Sequence, residues 1–441
     1  MGFKDTAKNF LNSYGGFLVA AAALATVVIV LNVPLTPSYD GSDSKWYLAI
    51  ATGHIDTVVK PFSSRFLHPF LAGWISSHFS LDLAQSFLLI NAVSLFLFFV
   101  IVSSLFKKVL RWAPLLFLVF PLPFFIERFA DFFSPDIFYV FLTALFFLFL
   151  YYEREGLSLL TLFFLFLARE STVLLGFVFL VVTLMRSKRM TAAAALVVVV
   201  ISFFTASQIG NLGIPNAHHL SNFAYLIVRI PFLTLQNLGI TPWVNTLPGT
   251  CVPLFRLGLP HLSFLGDIRE FGFCGFHLSV LVNTLTSFLS VFGVMPAVLW
   301  YLLSRKRKEI IKGVPRWLLI ALLYGVGYYL ITIGSTTGVS RFVGYSWPAL
   351  LLATPFLAQR YLKMDARFAV KILLIHMSVT LLPFLVEAVG GFTLVPKVIV
   401  LFIVAACNVY TFRLLSRRET AVRRSDPVAA QPCPTVNSVV D

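Results

Sequence analysis

Runs of about 20 apolar residues recur along almost the whole chain, separated by short polar connections. A helix of this length crosses a bilayer with its backbone polar groups hydrogen-bonded internally. Of all residues, 58% are hydrophobic and only 12% are charged, whereas about a quarter of an ordinary soluble domain is charged. The sequence therefore predicts an all-α, polytopic transmembrane protein and excludes an ordinary soluble domain.

The apolar runs predict about 12 membrane spans, an even number that places both termini on the same side. The first run follows Lys4 and Lys8 and is too long for the apolar region of a cleaved signal peptide, so we expect a permanent span. Two runs, 112–126 and 157–169, barely reach the length of a crossing, and one or both could be broken or re-entrant. The predicted spans are 14–34, 84–106, 112–126, 136–152, 157–169, 171–185, 190–209, 278–303, 317–334, 344–361, 369–386 and 394–412.

The basic residues cluster in alternate connections, and this pattern indicates an orientation. The net charge is +15, which by itself would also be compatible with nucleic-acid binding. Placing both termini and every second connection in the cytoplasm puts most of the 34 Lys and Arg residues there, as the positive-inside rule requires. We therefore interpret the charge as a topological signal without a nucleic-acid partner. Compact loops favour a bacterial plasma (inner) membrane, with both termini cytoplasmic.

Two connections on the outer side, about 35–83 and 210–277, are too long to be simple links. They belong to a transmembrane domain assigned to 1–412, and 413–441 is predicted as a basic and then disordered cytoplasmic tail. The second connection is amphipathic and interrupted by prolines, which predicts helices lying on the membrane surface. It contains Cys251 and Cys274; an oxidising compartment would permit a disulfide, and two free thiols are the open alternative.

Ionisable residues concentrate in the outer connections, where charge close to hydrocarbon is costly unless it is paired, solvated or functional. Two carboxylates, Asp40 and Asp43, follow the first predicted span. Carboxylates can accept the proton of a hydroxyl nucleophile, and arginine can donate two parallel hydrogen bonds to a phosphate. Side chains from several connections could therefore line one outward cavity: Arg65, His68, Glu127, Arg128, Asp131, Asp136, Arg169, Glu170 and Arg341.

Four segments resemble motifs of the GT-C superfamily of polytopic membrane glycosyltransferases. The segment "DSKWYLAIA" resembles the first-loop motif of that superfamily, and "SRFLHPFLAGW" resembles the arginine-containing helix that follows it. The segments "FLARESTVLLG" and "SRFVGYSWPALLL" are similar to its later arginine-bearing segments. In the order given, the four segments are Asp43–Ala51, Ser64–Trp74, Phe166–Gly176 and Ser340–Leu352.

The resemblance implies an inverting transferase that moves a sugar from a polyprenyl-phosphate donor to an acceptor hydroxyl on a glycan, lipid or protein. It implies a site on the extracytoplasmic face and Asp43 as the general base. Asp40 is the second catalytic candidate, because Ser44 occupies the place of the acid that often follows the motif acid. A divalent metal is therefore possible but not required by the pattern. The substrate-binding candidates are Arg341, Arg65, His68, Arg169, Glu170, Asp136, Tyr47 and Trp46.

Structural interpretations compete with these roles. Asp43 could only cap a helix, Asp136 could only favour a helix N-terminus, and Arg169 could neutralise Glu170. His376, within a predicted span, is interpreted as a hydrogen-bonded contact between helices. At the level of function, the rivals are a transporter or flippase of a lipid-linked or amphiphilic anion, which would use the same basic cavity, and a non-catalytic scaffold subunit.

Overall fold

The chain is mostly helical, which confirms the main part of the predicted fold class. The computed structural model describes residues 22–23, 25–27, 29–30, 43–109, 131–214, 231–244, 251–256, 270–290, 293–335, 347–362, 366–390 and 394–425. The helices are α1 Ser44–Ala51, α2 Leu67–Phe79, α3 Leu83–Val109, α4 Asp136–Tyr151, α5 Glu155–Ala168, α6 Thr172–Met185, α7 Arg189–Asn211, α8 Leu278–Ser290, α9 Met295–Gly313, α10 Arg316–Ser335, α11 Trp347–Leu362, α12 Ala366–Gly390 and α13 Leu394–Ser425.

Three of the described helical stretches are long and apolar enough to cross a membrane: Leu83–Val102, Arg189–Asn211 and Leu394–Thr420. They coincide with three of the predicted spans. Helices α4, α5 and α6 are apolar but shorter, as are the apolar parts of α8, α10 and α12. The predicted span 112–126 and most of 14–34 lie outside the described residues. The fold is thus that of a helical protein with helices able to span a membrane.

The predicted span 278–303 is not one continuous helix, because the structure divides it into α8 and α9. The two helices are separated at Gly293, whose φ of 51° lies in the left-handed region that a right-handed helix cannot include. A Cβ atom on Gly293 would lie 2.5 Å from Nδ1 of His376 in α12. Nδ1 of His376 also accepts a hydrogen bond of 3.3 Å from the backbone N–H of Val294, which confirms the predicted contact between helices.

The last helix is longer than predicted. Helix α13 spans 32 residues and continues through Ser425, so the first part of the predicted tail is helical. Its basic segment packs beside α9: Glu419 accepts a hydrogen bond from the hydroxyl of Tyr301 and lies 4.0 Å from Nζ of Lys306. Residues 426–441, where we predict disorder, lie outside the described part of the chain.

A small β-sheet replaces part of the surface helices that we predicted for 210–277. The strands β1 Ile240–Val244, β2 Val252–Arg256 and β3 Glu270–Phe276 form an antiparallel sheet in the order β1-β3-β2. Pro242 and Pro253 explain the difference, because proline breaks a helix interior but is accepted on edge strands such as β1 and β2. A disulfide joins Cys251 to Cys274 of β3. Helical backbone is retained at 231–237.

The helical bundle has two chemically different ends, which are defined by the two ends of α5. At its N-terminal end, Glu155 accepts hydrogen bonds from Lys188 at 2.8 Å and from Arg316 at 2.7 Å. At its C-terminal end lie Arg169 and the connection to α6. Between the two ends, the core is filled by large aromatic side chains that are completely buried, among them Phe87, Phe98, Phe99, Tyr139 and Tyr324.

Candidate functional site

Three of the four motif-like segments meet at the guanidinium group of Arg65. Nε and Nη2 of Arg65 donate hydrogen bonds of 2.9 and 2.6 Å to the two carboxylate oxygens of Glu170. Nη1 of the same group donates a hydrogen bond of 3.0 Å to the hydroxyl of Tyr47. Arg65 belongs to the second segment, Tyr47 to the first and Glu170 to the third. One arginine side chain therefore joins segments that are far apart in the sequence.

A glycine allows the first two segments to pack directly against each other. A Cβ atom on Gly73 of α2 would lie 2.1 Å from the carbonyl oxygen of Ala51, at the end of α1. Phe62 fills the space between the segments: its ring stacks on Trp46 at 6.3 Å and meets the edge of Tyr47 at 5.9 Å. Tyr47 is fully buried and Trp46 half-buried. The packing fixes α1 against α2.

The connection between α1 and α2 is anchored to the end of α7. The hydroxyl of Ser63 donates a hydrogen bond of 3.0 Å to the carbonyl oxygen of Gly210. Nζ of Lys60 donates one of 2.6 Å to the side-chain oxygen of Asn211. These contacts place Arg65 beside the α5–α6 turn, which explains how a loop residue reaches Glu170.

Asp43 stands at the N-cap position of α1, as predicted, but its carboxylate makes no capping hydrogen bond to the described backbone of that helix. The alternative that Asp43 serves only as a side-chain cap is therefore wrong. The next residue, Ser44, donates a hydrogen bond of 3.0 Å to the carboxylate of Asp131. A second carboxylate thus reaches the site from the connection before α4. The sequence places Asp131 on the outer side, although nothing in its pattern singles it out as a partner of α1.

Arg169 and Glu170 form ion pairs with different partners, contrary to the predicted alternative that they serve only to neutralise each other. Nη1 of Arg169 donates a hydrogen bond of 2.7 Å to the carboxylate of Asp136, and both side chains are only 1% exposed. Asp136 is the first residue of α4 and follows Pro135, a position that favours a carboxylate. The structure therefore gives Asp136 a charged partner in addition to the helix N-terminus.

The ion pair between Arg65 and Glu170 differs from this buried pair in its contact with solvent. The side chain of Glu170 is 44% exposed and that of Arg65 is 7% exposed. Partial burial by itself would raise the pKa of the Glu170 carboxyl, but the Arg65 guanidinium outweighs it and holds that pKa at about 2. Glu170 is therefore ionised at neutral pH. In this structure Arg65 and Arg169, which we predicted as substrate-binding residues, each hold a carboxylate of the protein itself.

His68 lies in the core and does not line an outward cavity, which corrects its predicted position. The ring is fully buried, with its centroid 5.2 Å from that of Phe87 and 5.6 Å from that of Phe138. Burial lowers the pKa of His68 to about 3, so the imidazole is neutral at pH 7. In this conformation His68 supports the packing of α2 on α3 and α4.

Buried polar groups extend from the site toward α10. The hydroxyl groups of Tyr139 and Tyr324 lie 3.2 Å apart. The hydroxyl of Thr172 donates hydrogen bonds to the carbonyl oxygens of Leu165 and Arg169, at 2.9 and 2.8 Å. Sequence reasoning missed these three residues, because tyrosine and threonine within apolar helices carry no pattern that separates them from core residues.

Asp40, Glu127, Arg128 and Arg341 lie outside the described residues. Among the residues that are described, no three or more His, Cys, Asp or Glu side chains are grouped as ligands for a metal ion.

Comparisons with protein-family models, with curated proteins and with solved structures returned no match. The fold and the site define a helical protein with helices able to span a membrane and a charged cluster at the end of the bundle that carries Arg65.

Proposed function

We propose that this chain is an inverting membrane glycosyltransferase of GT-C type that uses a polyprenyl-phosphate sugar. The main support is the convergence on Arg65 of three segments that resemble GT-C motifs, although Arg65 and Glu170 alone are 105 residues apart in sequence. The further support is Asp43, which stands at the start of α1 without acting as its side-chain cap. A chance likeness of short motifs gives no reason for the segments to meet in space.

In the proposed reaction, Asp43 accepts the proton of the acceptor hydroxyl as its oxygen attacks the anomeric carbon. The bond between that carbon and the donor phosphate breaks, and the polyprenyl phosphate leaves with the bonding electrons. Asp40 is the alternative base. Arg341 is proposed to hold the leaving phosphate, since a charged leaving group needs cationic donors more than a proton. Trp46, half-buried at the start of α1, is proposed to border the acceptor.

The described side chains around Asp43 are proposed to position it. Tyr47 follows Asp43 by one turn of α1, and Nη1 of Arg65 fixes the Tyr47 hydroxyl while Nε and Nη2 of Arg65 hold Glu170. Asp131 fixes Ser44, the immediate neighbour of Asp43. Two separate hydrogen bonds therefore restrain the first two turns of α1, and a general base needs such restraint to stay within reach of the proton.

We further propose the full arrangement of about 12 spans, with both termini cytoplasmic, in a bacterial inner membrane. The candidate site then faces the extracytoplasmic side. The supporting observation is the position of the cationic residues Lys188 and Arg316, which meet at Glu155, at the end of α5 that lies away from the site. That end would face the cytoplasm by the positive-inside rule.

A transporter or flippase of a lipid-linked anion is the second candidate. The ion pair of Arg169 and Asp136 favours it, because ionisable groups inside an apolar helical bundle often mark a transport pathway. The transferase explains the meeting of the motif-like segments, whereas the transporter explains only the buried charge.

Transfer of radiolabelled sugar tests the proposal. Wild-type protein and the Asp43→Asn variant are purified in detergent and incubated with a panel of polyprenyl-phosphate sugars and a broad acceptor extract. We expect transfer by the wild type and a loss of roughly 100-fold or more in the variant, the usual range for removal of a general base. The control is Asp56→Asn, which changes an exposed carboxylate of the same outer segment and should retain activity.

The remaining outcomes separate the alternatives. Equal transfer by wild type and Asp43→Asn would move the base to another residue. If neither protein transfers sugar, and the wild type instead carries a labelled lipid-linked anion across vesicle membranes, the transporter is the correct function.

A further inference from the structure

One face of α13 is exposed along most of the helix. Its exposed residues recur at spacings of three and four, so they lie on the same side of the helix. The opposite side is buried and includes Val400, Val404, Thr411 and Leu415. The exposed face consists of Val395, Ile399, Phe402, Ala406, Val409, Tyr410, Arg413 and Arg417, and we refer to it as the α13 face.

The chemistry of the α13 face changes in a fixed order along the helix. The first part is purely aliphatic and aromatic, with Phe402 70% exposed. Tyr410 follows, and Arg413 and Arg417 come one and two turns later. Acyl chains, the interfacial layer and phosphate headgroups of a bilayer leaflet succeed each other in the same order, and tyrosine is enriched at the middle level. The α13 face therefore matches the profile of a phospholipid.

A third cation reaches the same place from α12. Nζ of Lys371 lies 5.7 Å from the ring centroid of Tyr410, so Lys371, Arg413 and Arg417 share the neighbourhood of Tyr410. Lys371 is exposed, and Leu374, one turn further along α12, is exposed as well. Helix α12 thus repeats the change from cationic to apolar surface, in the reverse chain direction.

The acidic residue of α13 does not neutralise this cluster. Glu419 is engaged with α9, where it accepts a hydrogen bond from Tyr301 and lies near Lys306. Arg418 is also turned away from the face, with its guanidinium 4.5 Å from the ring centroid of Phe368. Within the described part of the chain, Glu419 thus leaves the positive charge of Arg413 and Arg417 in place beside Lys371.

We propose that the α13 face, together with Lys371, binds an anionic glycerophospholipid such as phosphatidylglycerol. The headgroup phosphate contacts Lys371, Arg413 and Arg417, and an acyl chain lies along the apolar part of the face. A nucleic acid would leave that apolar part without a partner. A second copy packed in parallel would bring two cationic clusters together, which costs free energy. The proposal does not depend on the proposed transferase activity.

Lipid binding by the purified protein tests this proposal. The protein in detergent is titrated with dioleoyl phosphatidylglycerol or dioleoyl phosphatidylcholine, and binding is measured by native mass spectrometry. The test variant combines Lys371→Gln, Arg413→Gln and Arg417→Gln. A control variant combines Arg154→Gln, Arg189→Gln and Lys312→Gln, which removes the same number of exposed cations from other elements. Circular dichroism verifies that each variant is folded.

We expect the wild type to bind phosphatidylglycerol at least tenfold more tightly than phosphatidylcholine. Each interfacial cation contributes roughly fivefold to the affinity for an anionic lipid, so the test variant should lose most of this preference and the control should keep it. If the triple variant does not fold, Arg413→Gln and Arg417→Gln are compared singly. Equal affinity of the wild type for both lipids, or an equal loss in the control, would overturn the proposal. The proposal would also be overturned if the wild type has the mass of two copies of the chain and Phe402→Ser has the mass of one, because a second copy would then cover the α13 face.

Discussion

At the scale of single residues, the neighbours Arg169 and Glu170 show how the chain separates two charge pairs. They are adjacent in sequence, and the simplest interpretation is that they neutralise each other. The structure directs Arg169 to Asp136 and Glu170 to Arg65. Sequence spacing could not predict this, because Arg65 and Glu170 are 105 residues apart and their contact depends on how the outer segment docks on α7.

The two pairs should differ in their contribution to stability. In Asp136→Asn, the Arg169 guanidinium keeps its charge in a site only 1% exposed, and removing one partner of a buried pair costs about 3–5 kcal/mol. In Glu170→Gln, water can reach the site through the half-exposed carboxylate position, and Tyr47 still accepts from Arg65. We expect a cost of about 1–2 kcal/mol there. The measurement is the free energy of unfolding in mixed micelles.

The exposed Asp56→Asn variant serves as the control for that comparison and should change the free energy of unfolding by less than about 0.5 kcal/mol. A larger loss in Glu170→Gln than in Asp136→Asn would contradict the argument from burial. It would indicate that the link between Arg65 and the motif-like segments matters more to the fold than the buried pair.

At the scale of elements, the length of the apolar runs predicted the helices well, but it did not predict where a helix is interrupted. Helices α3 and α7 begin and end within a few residues of the predicted spans, because a long apolar run leaves few alternatives to a membrane helix. The division of 278–303 was missed, since the sequence around Gly293 remains apolar through the break. The β-sheet was missed because amphipathic character alone does not distinguish surface helices from short strands.

The break between α8 and α9 should depend on the glycine at position 293. Alanine there would adopt a left-handed conformation, and its Cβ atom would meet the ring of His376. We expect Gly293→Ala to lower the free energy of unfolding by about 2–4 kcal/mol, combining the backbone penalty with overpacking. Gly156→Ala is the matched control: its Cβ meets nothing within 4 Å, and alanine in a helix adds up to about 1 kcal/mol of stability.

A double mutant separates the two causes. In a His376→Ala background the steric conflict disappears, so Gly293→Ala should cost only the backbone penalty of about 1–2 kcal/mol. If Gly293→Ala costs as much with His376 removed as with it present, the close approach of α12 is not what requires glycine there.

At the scale of the whole molecule, the two ends of the bundle carry different chemistry. One end gathers Asp43, Asp131, Arg65 and Glu170 around α1, and the other gathers Lys188 and Arg316 on Glu155. The grouping of predicted outer residues at one end was foreseeable, because helices that cross a membrane return loops alternately to each side. The hydrogen-bond and ion-pair partners within each end could not be predicted, since they depend on side chains from several helices meeting after the fold has formed.

This polarity predicts that a residue beside Asp43 and a residue at the end of α9 are accessible from opposite sides of the membrane. Lys45 and Arg307 are exposed at these two ends, so each is changed to cysteine, in a background where Cys407 and Cys433 are serine. In right-side-out vesicles, a membrane-impermeant maleimide should label Lys45→Cys at once and Arg307→Cys only after permeabilisation. Phe402→Cys, on the apolar part of the α13 face, should resist labelling until detergent is added, because lipid covers it.

Labelling of Lys45→Cys and Arg307→Cys from the same side would overturn the proposed topology. Labelling of Arg307→Cys alone would invert the topology and place the candidate site in the cytoplasm.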